Sequence, residues 1–282
     1  MKLKRLLIVN ADDLGWSEPI NRGIVDCHLH GVLTSATLMT TMPGAEDAVS
    51  RVRDHGRLGV GVHLTLTAGC PVSLDPSVRR LAPGGRFPAS TPRLLFHART
   101  SGAWRHAART ELAAQVRWMM DHDLVPDHID SHKHFHVVPP FPEMVGEIAE
   151  EFGIRLVRST RERPVGSSHR LAGRLGRRML ARWDRRARIT FGGAGLVQPE
   201  EFYGIADTGS ADLEAVQACL ASSQAASLEW MVHPGEMEEN PPVSTRLVRS
   251  RPEEKKMLTD PALRDMIDRL GFALGRFGEL LT

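Results

Sequence analysis

Leu6-Leu7-Ile8-Val9-Asn10-Ala11-Asp12-Asp13 is the stretch on which the reading of this chain turns. Its first four residues are an apolar run, β-branched at the end and without polar interruption, as a strand buried on both faces of a parallel sheet should be. Two adjacent carboxylates then stand at the strand's C-terminal end. Like charges this close raise one another's pKa, and each needs water, a cation or a hydrogen-bond donor. The pair makes sense if one carboxylate binds a metal and the other handles a proton. The plainer alternative is that one of them caps the next helix. Ser17, just before Glu18-Pro19, already suits that role, with proline in the first turn.

Working outward, strands and helices alternate. Strands are expected at Arg5–Asn10, Ala36–Thr41, Gly59–Leu64, Pro126–His132, Ile154–Arg158, Glu201–Ile205 and Leu228–His233. Helices are expected at Glu18–His30, Ala45–Asp54, Ala103–Asp121, Phe141–Glu151, His169–Arg185, Asp212–Ser222 and Pro261–Leu270. Gly31, Gly56 and Gly153 fall where C-terminal cap glycines belong. Such alternation predicts an α/β fold with a parallel sheet, open or closed into a barrel. The 282 residues suit one barrel domain over the whole chain, 1–282. Two stretches fit no element. Residues 68–101, rich in Pro, Gly and Arg, and residues 234–252 read as lid-like or mobile loops.

Composition excludes several classes. Hydrophobic content of 41% fills a sizeable core, and 25% charged residues is ordinary for a soluble protein. No apolar run reaches the roughly 18 residues a bilayer span needs. The N-terminal apolar stretch stops at Val9 and runs into Asp12-Asp13, unlike a secretion signal. Cys27, Cys70 and Cys219, odd in number and far apart, read as free thiols of a reducing, cytoplasmic compartment. Phosphate loop, nucleophile elbow and nucleic-acid signatures are all missing, so no nucleic-acid partner is expected.

Charge is balanced overall but not along the chain. Arg170 to Arg188 holds eight arginines against the single acid Asp184, a local charge of +7 in a chain of net charge +2. Leu171, Leu175, Met179 and Trp183 recur every four positions within it. The segment, an insertion at about 165–190, reads either as a basic amphipathic helix on an anionic membrane or as a solvated helix packed on its own domain.

The histidines locate the chemistry. His63 ends the expected strand Gly59-Val60-Gly61-Val62-His63, whose small residues permit close approach. In an extended chain His128, Asp130, His132, His134 and His136 share one face. Several imidazoles on one face make a poor core and a good ligand set, and two histidines with one carboxylate leave positions open for water and substrate. His233 closes the last expected strand, before Pro234-Gly235. The Asp doublet, His63, His132 and His233 thus all stand at C-terminal strand ends, the face on which barrel enzymes build active sites.

These motifs resemble the YdjC-like carbohydrate deacetylases, which include diacetylchitobiose deacetylase. The matching stretches are Val9-Asn10-Ala11-Asp12-Asp13-Leu14-Gly15, Gly61-Val62-His63-Leu64, His128 to His136, and Val232-His233-Pro234, in family order from near the N-terminus to about residue 235. The resemblance implies a distorted TIM-like barrel of about seven parallel strands and one divalent metal ion. It assigns the metal to Asp13, His63 and His132, the general base to Asp12 and the general acid to His233. His132-Lys133-His134-Phe135-His136, Gly153 to Arg158 and Arg161 to Pro164 look closest to the hopanoid-biosynthesis branch, HpnK; Asp130-Ser131 departs from the Asn-Ala expected there.

That branch implies removal of the acetyl group from an N-acetylglucosaminyl hopanoid, with a soluble chito-oligosaccharide such as diacetylchitobiose as the alternative. Together with the basic segment Arg170 to Arg188, a lipid-carried substrate suggests peripheral contact with an anionic membrane at its inner face. A homodimer is a further expectation. Mixed nitrogen and oxygen ligands favour Zn2+, while the family leaves Mg2+ open. Arg158, His134, His136 and Tyr203 are the expected substrate-binding residues, Arg158 alternatively orienting Asp12. A metal-dependent phosphoesterase and a non-catalytic glycolipid binder fit less well. No second carboxylate-rich metal pair is evident, and a binder needs no proton-transfer pair.

Overall fold

The computed structural model describes residues 4–162, 171–210 and 212–282, with the side chains of 171–177 excepted. Strands β1 (Arg5–Leu14), β2 (Ser35–Leu38), β3 (Gly59–Leu64), β4 (Ile129–Ser131), β5 (Glu201–Tyr203), β6 (Ser227–Val232) and β7 (Phe272–Leu274) form one parallel sheet. Its order is β4-β3-β2-β1-β6-β5, with β7 pairing the start of β1. Single parallel bridges carry the sheet on from Ile129 through Val157 and Leu156 to Val197, and from Glu162 to Phe202 of β5. The sheet curls through these bridges into a distorted TIM-like barrel. Val9 and Ile8 are both fully buried although they face opposite sides of β1, as the uninterrupted apolar run requires.

Helices α1 (Glu18–His30), α2 (Ala45–Val52), α3 (Thr91–Thr100), α4 (Gly102–Asp121), α5 (Phe141–Phe152), α6 (Leu171–Gly193), α7 (Leu213–Ser222), α8 (Ser250–Leu258) and α9 (Pro261–Arg269) cover the sheet. The sequence reading placed β3 and α1 at their observed bounds and missed β7, α3 and α8. Both missed helices lie in or next to the stretches read as loops. Each of those stretches also reaches the central cavity, through Ala89 in one and Val243 to Leu247 in the other.

Three expectations are corrected. The strand expected at Ile154–Arg158 exists only as isolated bridges. The one after Pro126 is cut to Ile129–Ser131, and the chain then turns tightly through Lys133 and His134 at φ 60° and 55°. His128, His132, His134 and His136 therefore do not share the face of one strand. In α6, the expected helix start at His169 lies outside the described residues. Its core-facing residues are Leu180, Trp183, Asp184, Ala187 and Phe191, whereas Met179, from the stripe read in the sequence, is 48% exposed.

Candidate active site

The end of β1 breaks the strand's own rule. Successive side chains of a strand point to opposite faces, so Asp12 and Asp13 should part company. Between Ala11 and Leu14 the register against β2 shifts, and Asp13 adopts φ 67°. Asp is among the few residues that tolerate this left-handed conformation. Both carboxylates consequently line a cavity of about 400 Å³ at the C-terminal ends of the strands, with His63, His132 and His233.

Asp12 is held by a buried arginine. Arg158 Nη2 and Nη1 donate to Asp12 Oδ1 and Oδ2 at 2.6 and 2.8 Å, a bidentate pair. The same guanidinium meets Glu229 Oε1 at 2.7 Å and Asp130 Oδ2 at 2.6 Å. Asn10 Nδ2 adds a bond to Asp12 Oδ1 at 3.1 Å. Burial alone would raise the Asp12 carboxyl, but Arg158, with His63 and His233, outweighs it and holds the group well below the usual range. A carboxylate offers about four lone-pair sites. Three are taken, which leaves one on Oδ2, itself 3.9 Å from His63 Nε2.

Asp13 is held from one side only. Arg251 Nη2 of α8 donates to Oδ2 at 2.6 Å, while the buried Oδ1 has no hydrogen-bond partner. That oxygen lies 3.8 Å from His63 Nε2. Burial works against ionisation here too, yet Arg251 and the surrounding histidines bring the carboxyl down to about 2. His63 gives its Nδ1 side to Asp130 Oδ1 at 2.6 Å, the carboxylate-to-histidine relay that commonly stands behind a metal ligand. Burial pushes the His63 imidazole down, but Asp130, Asp12 and Asp13 together lift it to about 9. His132 bonds Thr67 Oγ1 through Nδ1 at 3.0 Å, which leaves Nε2 for the cavity; burial lowers it to about 3.

Two donor sets could hold a cation. Among the described residues, Asp12, His63 and Asp130 bring one ligand atom each within 4.8 Å of one another. The Arg158 guanidinium already occupies the ground between their carboxylates, and His63 Nδ1 is spent on Asp130. A second cation there meets direct repulsion. The other corner joins Asp13 Oδ1, which has no hydrogen-bond partner, to His63 Nε2 and the cavity side of His132, with the Arg251 guanidinium on the far oxygen Oδ2 and the His63 proton the one a bound cation would displace. An orphaned buried carboxylate oxygen facing an imidazole nitrogen fits a divalent ion.

The chain matches the YdjC-like protein family model over residues 6–269. It belongs to the YdjC-like family. This YdjC-like chain is 30% identical to the chitooligosaccharide deacetylase of Proteus mirabilis, over 99% of this chain and 100% of that one. It is 42% identical to the carbohydrate deacetylase of Geobacillus stearothermophilus over 56% of its own length and 62% of the relative's. It spans less than two thirds of the carbohydrate deacetylases it matches, with 57% of the Brevibacillus brevis protein covered. A crystal structure of an Enterococcus faecalis protein named for cellobiose-phosphate cleavage shares the fold at TM-score 0.77 and 23% identity, covering 98% of this chain and 99% of that one.

Several expected site residues stand elsewhere. Arg158 is fully buried and serves Asp12, so it is not a substrate contact. His136 is fully buried against Ser131 Oγ at 2.7 Å and does not reach the cavity. Tyr203 is buried, its hydroxyl bonded to Asp207 at 2.7 Å, and it lies outside the main cavity. His134 does line it. His128 stacks on Phe277 at 3.6 Å, in the space a side chain on Gly61 would fill. Sequence reasoning missed Arg251, Glu229 and Glu254, the last accepting the His233 backbone N–H at 2.6 Å. Only Glu229, a lone acid inside an apolar strand, carried a signal.

Proposed function

We propose that this chain is a metal-dependent hydrolase that removes the acetyl group from an N-acetylated amino sugar. The observation that carries the reading is the unequal Asp pair: Asp12 locked on Arg158, Asp13 with one oxygen open toward His63 and His132 in a shared cavity. The names of the relatives, carbohydrate and chitooligosaccharide deacetylases, point the same way. The ligands are Asp13, His63 and His132. A divalent ion bound there supplies Lewis acidity and lowers the pKa of a bound water toward ~7.

The chain's own groups do the rest. Asp12, kept ionised and aimed by Arg158, accepts the proton of the attacking water at its remaining lone pair. Asp130 fixes the tautomer of His63 by accepting from Nδ1. His233 lines the same cavity and protonates the departing amine, without which an amide nitrogen does not leave. Trp16, Ile205, Met231 and Leu247 give the cavity an apolar wall for a sugar face.

The substrate class best supported by the relatives is a chito-oligosaccharide. A lipid-linked sugar, the N-acetylglucosaminyl hopanoid of the resemblance, is favoured by one observation. The outward face of α6 carries Arg178, Arg182, Arg185 and Arg186, with Ile189 77% exposed beside them. Such a face suits an anionic bilayer, each basic residue being worth ~1 kcal/mol there. Acetate release from diacetylchitobiose and from the hopanoid glycoside, with and without added Zn2+ or Mg2+, tests both readings. Metal-stimulated release from either supports a deacetylase and ranks the substrates; no release from either with any metal refutes it.

A further inference from the structure

The Asp13 carboxylate could turn about its own side chain, and in most orientations Oδ1 would not face His63. One contact prevents this, and it comes from a helix 238 positions away in sequence. Arg251 of α8 is 2% exposed and donates through Nη2 to Asp13 Oδ2 at 2.6 Å. Its guanidinium lies 5.6 Å over the Trp16 ring, whose position three residues after Asp13 ties it to the same turn. The arginine stem is packed as well. A side chain on Gly235 would displace the tip of Ile20 and press on Arg251 Cβ and Cδ, so the chain after His233 passes close against the arginine stem. Gly235 N–H also donates to the Arg251 carbonyl at 3.2 Å, and one turn on, Glu254 accepts the His233 N–H. The helix is therefore clamped to the end of β6, and Arg251 is clamped with it.

Resting on the metal reading of Asp13 given above, we infer that Arg251 is a positioning residue for the metal centre: it takes Asp13 Oδ2 out of use and holds Oδ1 as a single ligand oxygen toward His63 Nε2. Two opposed effects follow from its charge and its geometry. A guanidinium near the centre repels a cation, whereas a fixed carboxylate spares the centre the cost of ordering its ligand. Partners that orient first ligands typically change metal affinity 10- to 100-fold when removed, which places orientation ahead of repulsion. A structural ion pair would stabilise the fold and leave affinity untouched.

The test is the dissociation constant for Zn2+, measured on metal-free protein by competition with a chromophoric chelator, for wild type, Arg251→Met and Arg251→Lys. Folding is checked by circular dichroism. Arg251→Met should bind Zn2+ about 10- to 100-fold more weakly. Arg251→Lys, which keeps a donor for Oδ2, should return most of that loss. If the Met variant is insoluble, Arg251→Gln replaces it with the same expectation of weaker binding than Lys. Wild-type affinity in the folded Met or Gln variant overturns the inference, as does a Lys variant no better than either. Failure of wild type itself to bind Zn2+ or another divalent ion would instead remove the metal reading on which it rests.

Discussion

Asp12 and Asp13 are neighbours in sequence and opposites in circumstance. On the Asp12 side, Arg158 gathers three carboxylates, Asp12, Asp130 and Glu229, into a buried cluster in which every carboxylate oxygen but Glu229 Oε2 has a partner. On the Asp13 side, one arginine holds one oxygen, and Asp13 Oδ1 is left without a partner beside two imidazoles. The first region is chemically closed and works by staying still. The second is open, and open lone pairs in a buried place are where a cation or a proton can act.

The contrast can be broken most severely at the open side. His63→Ala and His132→Ala should each lose bound metal and turnover together, because a three-ligand site cannot spare one. Elemental analysis of the purified variants decides it: full occupancy in His132→Ala alone would favour the Asp12, His63 and Asp130 set, and full occupancy in both would place the ion away from His63 altogether. At the closed side, Arg158→Met strands three buried carboxylates. Removing one partner of a buried pair costs about 3–5 kcal/mol, so urea unfolding should show at least that loss. A cost under about 1 kcal/mol would mean the cluster does not hold the site together.

A smaller effect sharpens the electrostatics of the closed cluster. Glu229 faces Arg158, His128 and Asp130; burial raises it from 4.5 to about 7 against the pull of Arg158. The folded protein thus holds this proton more tightly than the unfolded chain does. The resulting stabilisation is complete below pH 4.5 and disappears as pH rises through 7. Its size is of order 3 kcal/mol, at about 1.4 kcal/mol per unit. Glu229→Gln cannot titrate and should flatten the stability curve between those two values; identical curves for wild type and variant would show that Glu229 is ionised throughout. Smallest in its structural effect is Asp12→Asn, which keeps the shape of the cluster. It should retain metal and lose turnover by ~10²-fold or more, the usual scale for a general base. Near-normal kcat in that variant would move the base to another group.

Much of this was open to reading in the sequence. The strand ends at Asp12-Asp13, His63 and His233 could be located because apolar runs of strand length stop at polar residues, and the fold brings those ends together. The histidine run from His128 to His136 was misread because alternation assumes an extended chain. Two consecutive left-handed residues, Lys133 and His134, end the strand early, and nothing in local spacing announces them. Helix α8 was missed for another reason. Ser250-Arg251-Pro252-Glu253-Glu254-Lys255-Lys256 has the composition of a solvated segment, yet Arg251 and Glu254 are buried. Charged residues are buried only when paired, and their partners, Asp13 and the His233 backbone, are distant in sequence.

The sequence by itself therefore determined most of the elements, the parallel sheet and the main groups able to do chemistry, because hydrophobic period and side-chain type are local properties. Only the tertiary structure decided which of two adjacent carboxylates is open and which is closed. That choice depends on where Arg158 and Arg251 place their charges, and a guanidinium arriving from a distant element leaves no mark on the residues it will meet.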